Sequence, residues 1–158
     1  MSKDALLKPA IKTDWKTPPD LVHYIKRRFD VRLDVCASEP NVCERYFSMS
    51  DDGLSRLWDD RAYCNLPYGP EIPAWIDHGI VCVRSCICPI VVYLVPARTD
   101  TLWFQDAITR NDLLVRAEFL PGRIKFVGAT SSAPFPSMLL ILEPKYDTKA
   151  DRRKSKAD

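Results

Sequence analysis

No stretch of this 158-residue chain is long and apolar enough to span a bilayer. The opening MSKDALLKPAIKTD lacks the apolar core of a secretory leader, so neither a membrane protein nor an exported one is expected. Histidine is scarce, limited to His23 and His78, and no C-x-x-C occurs among the six cysteines. That leaves little to complete a zinc site around Cys82, Cys86 and Cys88. Several cysteines sit inside apolar runs such as IVCVRSCICPIVVYLV. Reduced, buried thiols in a cytoplasmic protein are therefore the expectation, and no metal. Net charge is small too, +2, and uneven: residues 145–158 hold six Lys/Arg and three Asp, which leaves the body near −1. A basic tail suits a polyanionic partner but does not by itself establish nucleic-acid binding.

What is present fits one domain with a proper core. Pro18-Pro19 followed by DLVHYIKRRF reads as a helix, with Leu21, Val22, Ile25 and Phe29 at helical spacing. VRLDVCA alternates and stops, as a strand does. Residues 38–60 read as loops with short helical pieces. RAYCN reads as a strand, PEIPAWIDHGIVCVRSC as a helix and PIVVYLVPA as the strongest strand. TDTLWFQDAITR reads as a helix capped by Thr99 or Asp100. LLVRAEFLPGRIKF reads as two short strands around Pro121-Gly122, and PFPSMLLILEP as a final strand. This alternation predicts an α/β fold with a single compact domain and a mostly parallel central sheet. Ligands in such sheets bind beyond the carboxyl ends of the strands, which puts LDVCAS, CNLPYG and VPARTD on one rim. Asn, Pro and Gly suit a turn at Asn65-Leu66-Pro67-Tyr68-Gly69 for conformational reasons alone. Three polar strand exits on one edge are more than a turn requires.

Taken in order, TDWKTPPDLV, LDVCAS, NVCERYF, DDGLSRLW, YCNLPYG, LVPARTDTLWF, LPGRIKF and APFPSMLLIL resemble the phage- and prophage-type DNA N6-adenine methyltransferases. These are Dam-like proteins with a Rossmann-like, S-adenosylmethionine-dependent fold. The resemblance implies methyl transfer from S-adenosylmethionine to the exocyclic amine of an adenine in double-stranded DNA, inside a bacterial host cell. It also implies a phage or prophage role in resisting restriction. Adenine N6 is a poor nucleophile because its lone pair is delocalised into the ring. The Asn65 side-chain oxygen and the carbonyl of residue 66 would accept its two N–H bonds and free the lone pair for attack. Tyr68 would stack on the extruded base. The family motif is Asp or Asn, Pro-Pro, then Tyr or Phe; here Leu66 replaces the first proline. The carbonyl survives that change, and Pro67 still biases residue 66 toward extended backbone.

The same resemblance maps a cofactor site onto Thr17 and Pro18, which also suit helix initiation, and onto Asp34 near the methionine amino group. Ala37 or Ser38 would permit close approach, although no G-x-G follows Asp34. Asp52, with Leu54 behind it, would accept from the cofactor's adenine amine, with Asp51 as the adjacent alternative. Glu39 and Glu44 are the ribose candidates, and Trp15 is either a cofactor wall or a core residue. Arg98, Thr99 and Asp100 follow the strongest strand and are candidates for DNA contact, with Thr99 equally able to cap a helix. Arg123 and Lys125 are candidates for the phosphate backbone or a solvated strand face. Trp75, Trp103 and Phe104 fit helix packing better than base stacking. With no room for a separate recognition domain, target reading falls to loops 38–60 and 127–136. The division expected is a catalytic domain over 1–144 and a basic, flexible tail over 145–158. RNA adenine, a protein glutamine amide and a catalytically weak DNA-binding role remain the alternatives.

Overall fold

The computed structural model describes residues 15–145. The basic tail past residue 145, and with it the expected division of the chain, lies outside the described residues. Helix α1 (Pro19–Phe29) starts where Pro18, extended at φ −61° and ψ 148°, meets Pro19 in the first turn. A proline costs nothing there because its missing N–H would have been unpaired anyway. The helix ends at Asp30, left-handed at φ 48°, whose N–H closes on the Lys26 carbonyl. Ile25 and Phe29 are its buried residues, while Lys26, Arg27 and Arg28 complement the negative end of the helix dipole.

The remaining elements, in chain order, begin with β1 (Leu33–Asp34) and β2 (Arg45–Tyr46). Short 3-10 turns at Met49–Asp51 and Gly53–Ser55 then lead to β3 (Ala62–Cys64) and α2 (Ile72–Arg84). β4 (Val91–Pro96), α3 (Leu102–Ile108), β5 (Leu113–Phe119) and β6 (Ser137–Pro144) complete the set. The strands form one sheet in the order β2-β1-β3-β4-β6-β5. The first four are mutually parallel, and β6 runs antiparallel to both β4 and β5. β6 alone among the described strands opposes the rest. The chain is thus a mixed α/β domain with a central sheet.

All six residues of β4 are buried, as expected for a strand covered on both faces. Val91, Tyr93 and Val95 face one core with α2 and α3, including Ile76, Ile80, Val83 and Phe104. Val92 and Leu94 face the other, with Ile25 and Phe29 of α1 and with Phe126 and Ala133 from the segment joining β5 to β6. Period-two alternation makes both cores from one strand.

Three expectations are corrected. The residues after Pro121-Gly122 do not form a second strand. Their backbone bonds go elsewhere: Val127 N–H donates to the Lys16 carbonyl at 3.1 Å and Ala133 N–H to the Ile124 carbonyl at 2.7 Å. α3 is entered from Thr101, extended at ψ 148°, and not from Thr99 or Asp100. Those two residues lie in the preceding turn, where the Thr101 hydroxyl donates to the Arg98 carbonyl. Within 38–60 the helical pieces are present, together with the short strand β2 pairing with β1.

Candidate active site

Parallel β1, β3 and β4 open their carboxyl ends on one edge of the sheet. β5 shares their direction and β6 opposes it, so the long connection 120–136 leaves and re-enters the sheet at this same edge. There a cavity of about 560 Å³ lies between the exits of β1 and β3, the 3-10 turns, the start of α2 and residues 15–17. That volume suits a nucleoside-sized ligand.

Most of the residues singled out for a cofactor meet here. Trp15, Thr17, Asp34, Ala37, Ser38, Asp52, Leu54 and Asn65 all line the cavity. Pro18 does not; it caps α1. Thr17 is 1% exposed, and its hydroxyl shares a 2.6 Å hydrogen bond with the Tyr63 hydroxyl on β3. Trp15 combines both readings offered for it, lining the cavity while its ring stacks on Phe126 at 5.2 Å.

The paired candidates separate. The Asp51 carboxylate is occupied, accepting from the Ser48 N–H and hydroxyl, each at 2.8 Å, and these bonds hold its pKa below the usual carboxylate value. Asp52 follows in left-handed backbone (φ 52°) and is exposed at the cavity wall. Glu39 lines the cavity and is ion-paired with Lys16, whereas Glu44 is exposed away from it.

Asp34 is the buried charge of the site, 3% exposed. Desolvation pushes its carboxyl up to about 7, opposed only in part by the 3.2 Å bond from the Cys36 N–H. A buried carboxylate with so little compensation favours a cation beside it. Cys36, pushed up to about 12 by burial and then by Asp34 and Glu71, is no thiolate at neutral pH.

The motif at the β3 exit divides its side chains. Asn65 Nδ2 donates to the Trp15 carbonyl at 2.6 Å. The Tyr68 hydroxyl reaches Asn65 Oδ1 and the Leu94 carbonyl, both at 3.4 Å, the outer limit for such bonds. The Leu66 side chain is 2% exposed and joins the core under α2, and Pro67 lines the cavity. Tyr68 lies outside the cavity wall, its ring edge-on to Phe126 and Phe135 at 6.4 and 5.4 Å.

Arg98, Thr99 and Asp100 are exposed on the same edge but outside the cavity, as are Arg123 and Lys125 on the 120–136 connection. Phe104 is core and Trp103 packs against that core, as helix packing requires. Trp75 does more: it stacks near Trp58 in the core and lines the cavity, with its Nε1 buried and unpartnered. The wall also includes Lys16, Asn41, Ser48, Met49 and Glu71, which sequence reasoning missed. Lys16 and Glu71 adjoin the residues that drew attention, and adjacency was their one available signal. The six cysteines are free, and among the described residues no group of three or more His, Cys, Asp or Glu could hold a metal ion. Among them, too, no helix is long and apolar enough to cross a membrane.

Fold and site together define an α/β domain with a ligand-sized cavity at the carboxyl edge of its parallel strands, and with an N-x-P-Y turn in the cavity wall. The family model for DNA N-6-adenine-methyltransferase (Dam) matches residues 4–156, and the chain belongs to that family. It is 31% identical over 103 residues to a DNA N-6-adenine-methyltransferase of Escherichia phage T1, covering 62% of this chain and 42% of that protein. It is 28% identical over 151 residues to a DNA N-6-adenine-methyltransferase of Haemophilus phage HP1 (strain HP1c1), covering 87% of this chain and 83% of that one. The chain therefore spans less than half of the T1 protein but most of the HP1 protein.

Proposed function

We propose that this protein transfers a methyl group from S-adenosylmethionine to N6 of adenine in double-stranded DNA, on a Rossmann-like methyltransferase fold. One observation carries the reading: Asn65 and Pro67 of the N-x-P-Y turn share a cavity wall with the buried carboxylate of Asp34. The cavity's size suits the cofactor, and a cation satisfies Asp34. Asp34 would hold the cofactor's ammonium end, with Thr17 and Ala37 or Ser38 alongside. Asp52, backed by Leu54, would accept from its adenine amine, and Trp15 would form a wall. When bound there, the cofactor supplies an electrophilic methyl group on sulfur.

The protein's own part is to orient the amine and accept its protons in hydrogen bonds. Asn65 Oδ1 and the Leu66 carbonyl draw on the two N–H bonds, which favours a pyramidal nitrogen with a localised lone pair. No base of tuned pKa is needed to begin attack; the methyl would leave sulfur without the bonding pair, giving S-adenosylhomocysteine, and the methylated amine would then lose its surplus proton to water. The target adenine leaves the duplex to reach the edge, and Tyr68, held by Phe126 and Phe135, offers it a stacking surface. Arg98, Thr99, Asp100, Arg123 and Lys125 would meet the DNA around it. A cytoplasmic setting inside the infected cell suits such a substrate.

The test is methyl incorporation into duplex DNA from labelled cofactor, with RNA and protein extract as competing acceptors. Wild-type protein should label adenine N6 in duplex DNA. Asn65→Ala should lower kcat at least about 100-fold, the scale of losing one preorganised electrostatic partner. Label in RNA or protein alone, or full activity in Asn65→Ala, refutes the assignment.

A further inference from the structure

Asn65 is held by a contact outside the motif. Its Nδ2 lies 2.6 Å from the main-chain oxygen of Trp15, fifty residues earlier in the chain. A carbonyl only accepts, so the atom facing it must donate, and the amide is turned with Oδ1 directed away from Trp15. Trp15 is itself fixed. Its ring stacks on Phe126 at 5.2 Å and 26°, and the next residue, Lys16, accepts the Val127 N–H at 3.1 Å. The Thr17 hydroxyl then bonds the Tyr63 hydroxyl at 2.6 Å.

We infer that the Trp15 carbonyl is the positioning group for Asn65, and that this chain consequently requires an amide at residue 65 and cannot use a carboxylate there. The inference rests on the methyl-transfer reading for its consequence, though not for its geometry. An ionised aspartate at 65 would set oxygen against oxygen across 2.6 Å and either push Trp15 away or swing out of place. A protonated one would copy the amide, its O–H donating to Trp15 and its carbonyl oxygen facing the substrate amine.

The titratable and charged groups lining the same cavity as residue 65 are Asp34 at the end of β1, Cys36 past it, the Lys16–Glu39 pair, Asp52 between the 3-10 turns and Glu71 before α2, and the Tyr68 hydroxyl lies 3.4 Å from Asn65 Oδ1. All are common to wild type and Asn65→Asp, so with cofactor saturating, where Asp34 is held ionised in both proteins, the ratio of the two kcat values reports the new carboxyl at 65. That ratio should be below about 1/100 at pH 8 and rise about tenfold per pH unit on acidification, as the protonated fraction does above a pKa. A ratio near one at pH 8, or one independent of pH, overturns the inference.

Two further measurements need no methyl transfer. Carbon-detected NMR of Asn65→Asp should show a new carboxyl titrating well above the ordinary aspartate value of about 4, because its neutral form alone donates to Trp15. Titration at about 4 or below overturns the inference. In the wild-type protein, the side-chain amide signal absent from Asn65→Ala should include one downfield, slowly exchanging proton. If both its protons exchange like those of exposed asparagines, the inference again falls. Should wild type transfer no methyl to DNA while both NMR results hold, the function fails and the positioning contact stands.

Discussion

Asp34 sits at the end of β1 with its carboxyl pushed up to about 7 by burial. Its folded pKa is raised above the unfolded value of about 4, so the native state keeps a proton that the unfolded chain has lost between those pH values. The group's contribution to stability is therefore complete below about pH 4 and is lost as pH rises to about 7, in protein without ligand. A cation bound beside Asp34 favours the ionised form. On the proposed function the cofactor's ammonium is that cation, so its binding should release a proton at pH 6 and almost none at pH 8, and tighten as pH rises through 7. Calorimetry in buffers of different ionisation enthalpy checks this, and proton uptake at pH 6 would contradict it. Asp34→Asn should bind more weakly and lose the linkage. That Asp34, Thr17 and Asn65 line one cavity was legible because each has a polar side chain next to an element's end. That the Asp51 carboxylate is taken up by Ser48 while Asp52 lines the cavity was not, since only the folded turn shows it. Trp75 was half legible: its helical spacing shows it packing, and nothing local shows which side of the ring meets a cavity.

Two glycines at element contacts decide how closely the site is built. A Cβ on Gly79 of α2 would lie 1.8 Å from the Tyr93 hydroxyl, which bonds the Trp75 carbonyl, and 3.0 Å from the Trp58 ring. Gly79→Ala should destabilise the domain by about 1–3 kcal/mol, the usual cost of overpacking, measured by urea unfolding. Gly53 meets the end of β1 so closely that a Cβ would lie 2.3 Å from the Val35 carbonyl. Gly53→Ala should shift the turn that carries Asp52 and Leu54, lowering stability and, on the proposed function, weakening cofactor binding as well, a double effect absent from Gly79→Ala. Leu66 belongs at this scale also. Its side chain fills core space beneath α2, and Leu66→Pro should lower the unfolding free energy by about 1–3 kcal/mol through lost apolar contact. No loss of stability in Leu66→Pro would show that the side chain is not holding the β3 exit in place. At the level of elements the three helices and the long strands were readable from periodicity. β2, two residues with exposed Arg45, had no pattern to read. The α3 cap shifted to Thr101 because Thr99 and Asp100 lie in a turn closed by the Thr101 N–H and hydroxyl on the Arg98 carbonyl, a choice made by backbone bonding and not by residue preference.

For the molecule as a whole, the 120–136 connection joins the two halves of the proposed chemistry. It carries exposed Arg123 and Lys125, and through Phe126 and Phe135 it packs on Tyr68. Arg123→Gln with Lys125→Gln should weaken binding to duplexes of any sequence and reduce the salt dependence by about two phosphate contacts, while cofactor affinity stays unchanged. Fluorescence anisotropy across a salt series checks this. An unaltered salt slope would return both residues to a solvated surface.

The order of strands and helices, and hence an α/β domain with its polar exits on one edge, follows from hydrophobic periodicity and turn chemistry, which are local. The N-x-P-Y turn is local as well, and so it was visible in a single line of sequence. What tertiary structure alone decided is which distant groups complete it: the Trp15 carbonyl on Asn65, the Phe126 ring on Trp15, the Lys16 carbonyl on the Val127 N–H. Main-chain oxygens carry no residue identity, and a bond across fifty positions leaves no period to detect. Burial of Asp34 belongs to the same category, because desolvation is the sum of every element packed around it.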